Sequence, residues 1–335
     1  MSFDREFEEV SKLLREKKRI LLAIHQRPDG DAIGSMIGMF LAISELGDKD
    51  VVMFSKDPVP DNFKFLPCWD LIMEEIPRGF SPDILIGLDY GDFGRLGVDE
   101  NTVRNSIIIT FDHHPLNKQK GDVMIIDPLL SSTCELVYNF LIHEGYTISS
   151  GAAEALLMGI FTDTGGFSHI NTTVKTLSVS AELLGLGVYI KNLHKHAFSN
   201  RSLSSVRVWG YVLQNIRYCK DIGMCYAGID MRGFEELGSR LDDFEGVVNI
   251  MNMPPEAFFS LLLIEHKPAV IKGSMRSEPF KRGLGGKGDG AGVDVSKIAK
   301  ELGGGGHRYA AGFEISGETL ENVVEYVKKV AVGVV

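Results

Sequence analysis

Short, nearly continuous apolar runs punctuate the first half of the chain at Ile20–Ile24, Val51–Phe54, Ile84–Leu88, Ile107–Phe111 and Val123–Ile126. Between them lie stretches with apolar residues at helical spacing, including Ala32–Leu46 and Cys134–His143. A charged opening helix is predicted over residues 5–18, where Phe7, Val10, Leu13 and Leu14 share one face. Strands that are apolar at every position are covered on both sides. The alternation therefore predicts an α/β domain with a mostly parallel sheet and helices on both faces. Residues 152–160 and 174–186 read as two further helices.

The pattern changes near residue 189. Tyr189–His196 is polar and basic at helical spacing and leads into Ser199-Asn200-Arg201-Ser202, which reads as a connector. His194 and His196 lie there without nearby carboxylates and are expected to be solvent-exposed. Beyond it, Ile216–Lys220 and Met224–Ile229 flank Asp221-Ile222-Gly223 as a hairpin. Ser260–Ile264 and Ala269–Met275 read as strands, Val295–Leu302 and Leu320–Val330 as helices. The 335 residues thus divide into a first domain at 1–188, a helical linker at 189–205 and a smaller mixed α/β domain at 206–335.

Ligands of open parallel sheets gather at the carboxyl ends of the strands. His25, Asp89 and Asp112-His113-His114 each follow an apolar run directly, and Asp163 follows Leu156–Phe161 in Thr162-Asp163-Thr164-Gly165-Gly166-Phe167. Asp29 and Asp31 flank Gly30, so a sharp turn can set two carboxylates side by side. Buried neighbouring carboxylates repel, and one takes a proton unless a cation lies between them. The set offers more donors than one ion needs, which points to a two-metal hydrolytic centre. Its mixture of carboxylate and imidazole favours Mn2+, with Mg2+ or Co2+ as alternatives. Singly, each residue has a plainer reading: helix capping for Asp29 and Asp31, strand-ending turns for Asp89 and Asp163, an ordinary structural histidine for His113. Capping explains neither His25 nor the other places, so the conjunction carries the argument.

Composition narrows the picture. Hydrophobic residues make up 44% and charged residues 24%, as in soluble globular proteins. No run approaches the roughly 18 apolar residues of a membrane span, and the polar start Met1–Glu6 is unlike a secretory signal, so a cytoplasmic protein without membrane contact is expected. Cys68, Cys134, Cys219 and Cys225 form no C-x-x-C pair and read as plain thiols. A net charge of −10 argues against tracking along long nucleic acid. Residues 267–308, with nine Lys and Arg against four Asp and Glu, suit a small phosphorylated ligand.

The ordered motifs resemble those of the DHH phosphoesterase superfamily. His25-x-x-x-Asp29-x-Asp31-Ala32-Ile33-Gly34-Ser35 is similar to its first motif, Asp89 to its second, Asp112-His113-His114 to its third and Asp163-Thr164-Gly165-Gly166-Phe167 to its fourth. Arg276-Ser277 and Gly303-Gly304-Gly305-Gly306-His307-Arg308-Tyr309-Ala310-Ala311-Gly312 resemble the associated DHHA1 domain. The resemblance implies that His25 and Asp29 hold a first metal, Asp31 and His113 a second, that Asp89 bridges them and that Asp163 completes the second site. It implies that Asp112 orients an imidazole and that His114 meets the scissile phosphate or leaving oxygen. It also implies an active site in the cleft between the domains, and the relatives suggest a homodimer.

Gly303–Gly306 lets backbone N–H groups approach an anion, and Gly304, Gly305 and Gly306 with Arg276, Ser277 and His307 form the expected substrate-binding set. The alternative is a flexible linker. Gly283-Leu284-Gly285-Gly286-Lys287-Gly288 spells G-x-G-x-x-G, but it follows a charged stretch and opens no helix, so a dinucleotide site is rejected. In the relatives, Arg276-Ser277 lies only a short step before the segment matching Val293–Lys297; residues 278–292 read as an added loop, a lid or a subunit contact being the other readings.

The expected function is metal-dependent hydrolysis of short oligoribonucleotides, pApA-type dinucleotides or 3'-phosphoadenosine 5'-phosphate (pAp) by a two-metal-activated hydroxide. Three alternatives remain open: a family II-like inorganic pyrophosphatase, a processive RecJ-like nuclease and a non-catalytic nucleotide-binding module. The glycine-histidine segment speaks against the first, the short acidic chain against the second and the full ligand set against the third.

Overall fold

The computed structural model describes residues 3–115, 118–199, 202–278 and 292–334. The chain divides into two units, Met1–Asn200 and Arg201–Val335. The expected loop at 278–292 lies outside the described residues except at its two ends.

In the first unit, α1 (Asp4–Glu16) leads to β1 (Arg19–Ile24), α2 (Gly30–Ser44), β2 (Asp50–Phe54) and the two-residue β3 (Ile72–Met73). Then follow β4 (Ile84–Leu88), β5 (Ile107–Asp112), β6 (Val123–Ile126), α3 (Thr133–His143), α4 (Ser150–Asp163), α5 (Val174–Gly185) and the short α6 (Ile190–His194). The sheet runs β3-β2-β1-β4-β5-β6 with every pair parallel. The chain builds outward from β1 in one direction, then restarts at β4 beside β1 and builds in the other. The carboxyl ends of β1 and β4 therefore form the switch point where a doubly wound sheet leaves a crevice.

The expected helices on both faces are not what this sheet carries. Residues of α1 to α5 pack with Ile20, Leu22 and Ile24 on one face. The other face, with Leu21, Ala23, Val52, Phe54 and Leu85, is covered among the described residues by Tyr90, Phe93, Leu96 and Val103, from loops and a 3-10 turn and not from an α-helix. The strands are apolar throughout because both faces are covered, but loops and 3-10 turns cover the second as completely as helices would. The sequence pattern reports burial and not what does the burying.

α2 and α4 cross closely because glycines remove side chains at the contact. A Cβ on Gly34 would lie 2.3 Å from the Ala155 carbonyl oxygen, and one on Gly159 would lie 2.2 Å from Cys134 Sγ and 2.9 Å from Asp31 Oδ1. This crossing brings the start of α2 against the centre of α4 and sets Asp31 deep in the unit.

After α6 comes a π-helical turn, Lys195–Ser199. His194 is exposed, as expected, but His196 is not free in solvent: its ring stacks on Phe65 at 3.9 Å between centroids. An aromatic partner 131 residues upstream carries no local signal.

The second unit contains α7 (Leu203–Gln214), β7 (Arg217–Cys219), β8 (Met224–Ile229), α8 (Met231–Glu236), α9 (Val247–Met251), β9 (Phe259–Lys267) and β10 (Val270–Ser277). It continues with α10 (Val295–Glu301), β11 (Gly305–His307), β12 (Ala310–Ser316) and α11 (Leu320–Ala331). Its sheet runs β11-β12-β10-β9-β8-β7; β8 and β9 are parallel and the other pairs antiparallel. α10 and α11 cover one face, with Leu261, Leu263, Ile271 and Met275. α7 and α9 cover the other, with Leu262 and Ile264.

Candidate metal centre

The last residues of β1 deliver His25, which is 4% exposed. Its Nδ1 lies 2.8 Å from the Gln26 carbonyl oxygen. Its Nε2 faces Asp29 Oδ2 at 3.7 Å and Asp89 Oδ2 at 3.6 Å. The Arg95 guanidinium lies 3.1 Å from the same Nδ1.

Asp29 caps α2, as the plainer reading expected: Oδ1 accepts the N–H groups of Asp31 and Ala32, each at 3.1 Å. Its other oxygen is the one that faces His25. Asp31, the second residue of the helix, is fully buried. Its two oxygens accept the N–H groups of Thr133 at 2.6 Å and Cys134 at 2.8 Å.

Asp89 follows β4 with φ of +55°, a left-handed backbone that aspartate tolerates better than most residues. The turn swings its carboxylate into the interior, where it is 2% exposed. Oδ2 faces His25, while Oδ1 faces His113 Nε2 at 3.6 Å. His113 Nε2 in turn lies 3.2 Å from Asp163 Oδ2 and 3.9 Å from Asp31 Oδ2. Asp163 is the last residue of α4, so a helix end, not a strand end, supplies this member.

Three donor groups result, His25 with Asp29 and Asp89, Asp31 with His113 and Asp163, and Asp89 with His113 and His114, each with its atoms within 4.8 Å of one another. Asp89 presents one oxygen toward His25 and the other toward His113. Metal–oxygen bonds of about 2.0–2.2 Å place neighbouring donors roughly 3 Å apart, so these separations need only modest contraction around a cation. Burial, with the charges of Asp31, Asp29 and Asp112, drives the Asp89 carboxyl well above its ordinary range. Burial and the charges of Asp31 and Asp89 do the same to Asp163. Three carboxylates in so little water cannot all ionise without positive charge among them. The donor set fits divalent cations.

Asp112 ends β5 and is fully buried. Its Oδ1 accepts from the His114 N–H at 2.9 Å and meets His114 Nδ1 at 2.8 Å; its Oδ2 accepts the Gly91 N–H at 2.8 Å. Burial alone would raise this carboxyl, but the bonds from His114 and Gly91 hold it below the ordinary range. The His114 ring is thereby oriented, with Nδ1–H toward Asp112 and Nε2 away from it.

The substrate-binding candidates belong to the second unit. Arg276 pairs with Ala310, and His307 pairs with the same Ala310 from the other side. Directly paired residues project to one face, so Arg276 and His307 share a row with only a methyl group between them. Ser277 is buried, and its hydroxyl donates to the Val293 carbonyl oxygen at 2.6 Å. A Cβ on Gly304 would meet the Gly312 carbonyl oxygen at 2.2 Å, and one on Gly306 the Ala310 carbonyl oxygen at 2.5 Å. Sheet packing thus accounts for those two glycines, whereas Gly305 has open space where a Cβ would stand.

Residue-by-residue reading passed over Thr133, Cys134 and Arg95, which touch the candidate ligands. Thr133 and Cys134 lie within an apolar helical pattern, where only their neighbours in space give them meaning.

A parallel α/β unit with paired carboxylate–imidazole groups at its switch point, followed by a mixed-sheet unit, defines a two-domain protein equipped for divalent cations. The chain belongs to the DHH family: residues 19–160 match the DHH family N-terminal domain and residues 247–333 the DHHA1 domain. It is 32% identical over 312 residues to the bifunctional oligoribonuclease and PAP phosphatase NrnA of Thermus thermophilus, covering 92% of this chain and 87% of that protein. The Bacillus subtilis protein of the same name is 26% identical over 303 residues, covering 88% and 89%. Among solved structures, an exopolyphosphatase-related protein from Bacteroides fragilis superposes with a TM-score of 0.86 at 27% identity, covering 98% of this chain and 96% of that one. RecJ from Thermus thermophilus in complex with Mn2+ shares the fold at a TM-score of 0.57 and 14% identity, covering 99% of this chain and 55% of that one.

Proposed function

We propose that this protein is a manganese-dependent phosphoesterase that hydrolyses short oligoribonucleotides and pAp. The observation that carries the reading is the set of carboxylate–imidazole groups at the sheet's switch point, with Asp89 turning one oxygen toward His25 and the other toward His113. Relatives named as oligoribonuclease and PAP phosphatase, aligned over most of both chains, support the substrate class. His25 and Asp29 would hold one ion, Asp31, His113 and Asp163 the other, with Asp89 between. When bound, the ions supply an activated water and countercharge for phosphoryl oxygens.

The chain's own groups do the rest. Asp112 Oδ1 holds the His114 ring through Nδ1, so Nε2 is left for a leaving oxygen. Burial keeps water from screening these charges. In the second unit, Arg276 and His307 would grip a terminal phosphate from one face of the sheet, with Gly305 offering backbone beside them. Among the described residues no helix is long and apolar enough to cross a membrane, and the four cysteines are free, which supports action in the cytoplasm.

The test is a panel of pAp, pApA, pyrophosphate and a long single-stranded RNA, each with Mn2+, Mg2+ and Co2+. Turnover of pAp and pApA, with little of the other two and near-complete loss in Asp89→Ala, is expected. Pyrophosphate as the preferred substrate, or no turnover of pAp and pApA by folded, metal-loaded protein, overturns the proposal.

A further inference from the structure

The start of α3 supplies none of the candidate ligands, yet it touches the supports of three. A helix leaves its first N–H groups without partners inside the helix. Here the N–H groups of Thr133 and Cys134 are taken by the two oxygens of Asp31, at 2.6 and 2.8 Å. The Thr133 hydroxyl donates to Asp89 Oδ1 at 3.1 Å. Just before the helix, the Ser131 carbonyl oxygen accepts from Asn171 Nδ2 at 2.9 Å, and the same Nδ2 lies 3.2 Å from the Asp163 carbonyl oxygen. Ser131 is held by Glu135 Oε2, through its hydroxyl at 2.6 Å and its N–H at 3.1 Å. Asp31, Asp89 and Asp163 come from separate places in the chain, so their spacing needs a common reference. Residues 131–134 provide one.

We propose that Thr133 is a positioning residue of the metal centre, its hydroxyl holding the carboxylate of Asp89 in the orientation that serves both ions. The inference rests on the metal-centre reading above. Thr133 is fully buried, and among the described residues its hydroxyl is the one side-chain donor to Asp89 besides the histidines. Without that donor, Oδ1 of a carboxylate on a left-handed turn, repelled by Asp29, Asp31 and Asp112, keeps only the rings of His113 and His114 at 3.6 and 3.4 Å. Partners that orient a ligand act on metal affinity even though they never touch the metal.

The experiment compares the whole chain with Thr133→Ser and Thr133→Val, reading Mn2+ affinity and stoichiometry by calorimetry and the melting temperature of metal-free protein. Serine keeps the hydroxyl; valine keeps the shape. Thr133→Ser is expected to bind Mn2+ within about threefold of wild type and Thr133→Val at least about tenfold more weakly, in the range found for groups that orient ligands. Equal affinity in Thr133→Val overturns the inference, as does a lower metal-free melting temperature with unchanged affinity, which would assign Thr133 to helix stability alone. Should the valine variant not fold, Thr133→Ala against Thr133→Ser makes the same comparison across one hydroxyl. Wild type that binds no divalent cation overturns the metal-centre reading itself, and that result is seen before any variant is compared.

Discussion

Asp29 divides its two oxygens between two tasks, one capping α2 and the other facing His25. Capping and ligation read as rival explanations along the sequence, but a carboxylate has lone pairs enough for both. Gly159 is the complementary case, a residue whose value is the atom it lacks. Gly159→Ala drives a methyl group into Cys134 Sγ at 2.2 Å and toward Asp31 Oδ1 at 2.9 Å. We expect it to cost about 1–3 kcal/mol in urea unfolding, the range for overpacked cores, and to weaken Mn2+ binding through Asp31. Unchanged stability and metal affinity would show that the α2–α4 contact has room for a methyl group.

Asp243 gives a pH-dependent prediction away from the site. Its carboxylate accepts from the hydroxyls of Ser202, Ser204 and Ser205 at 3.1, 2.9 and 2.9 Å and from the Arg240 N–H at 2.9 Å. Burial pushes this carboxyl up, but those donors outweigh it and hold it below the ordinary range. A depressed folded-state value means the ionised form stabilises the fold above the unfolded value of about 3.9, and that this stability disappears as pH falls through the depressed value. Asp243→Asn should therefore cost about 1–3 kcal/mol at neutral pH. Urea midpoints measured down a pH series should show wild type converging on the variant in acid; a constant gap would contradict the assignment.

Among the elements, the β11–β12 hairpin shows how a glycine run acquires meaning. The sequence offers Gly303–Gly306 as either a linker or an anion cradle, and the structure makes Gly305–His307 a strand paired with Ala310–Gly312. Ala310 separates Arg276 and His307 in one row. Ala310→Leu should fill that gap, raising KM for pAp about tenfold with kcat little changed, the pattern of lost ground-state binding. Mn2+ binding should not respond. A KM equal to that of wild type would remove Arg276 and His307 from the proposed phosphate grip.

Other elements differ in how legible they were. The buried strands β1, β2, β4, β5 and β6 were readable because five or so consecutive apolar residues between turns have few other uses. β11 and the start of β12 were not, since the glycines and alanines of Gly305-Gly306 and Ala310-Ala311-Gly312 carry neither alternation nor bulk. α8 and α9 span six and five residues, too short for a helical period to declare itself. β3, two residues long, exists through its pairing with Met53 and Phe54 and has no pattern of its own.

On the scale of the whole molecule, candidate ligands spread over residues 25–163 meet because the sheet order places β1 beside β4 and β4 beside β5. The motif residues and their types were legible from the chain, since hard-oxygen and imidazole donors after apolar runs are an uncommon conjunction. Their division between two ions was only implied by resemblance and stays a proposal. The helices lying on one face of the first sheet, the stacking of His196 on Phe65 and the role of the α3 start had no sequence signal. Each depends on contacts between residues far apart along the chain.

The sequence alone determined which residues can be buried in strands, where the chain can turn and which side chains can hold a cation, because these are properties of a residue and its near neighbours. Only the tertiary structure decided which oxygen of Asp89 faces which histidine, which N–H groups donate to Asp31 and what lies between Arg276 and His307. Hydrogen bonds and charge repulsion act over a few ångströms in space, and separation along the chain says nothing about that distance until the sheet has formed.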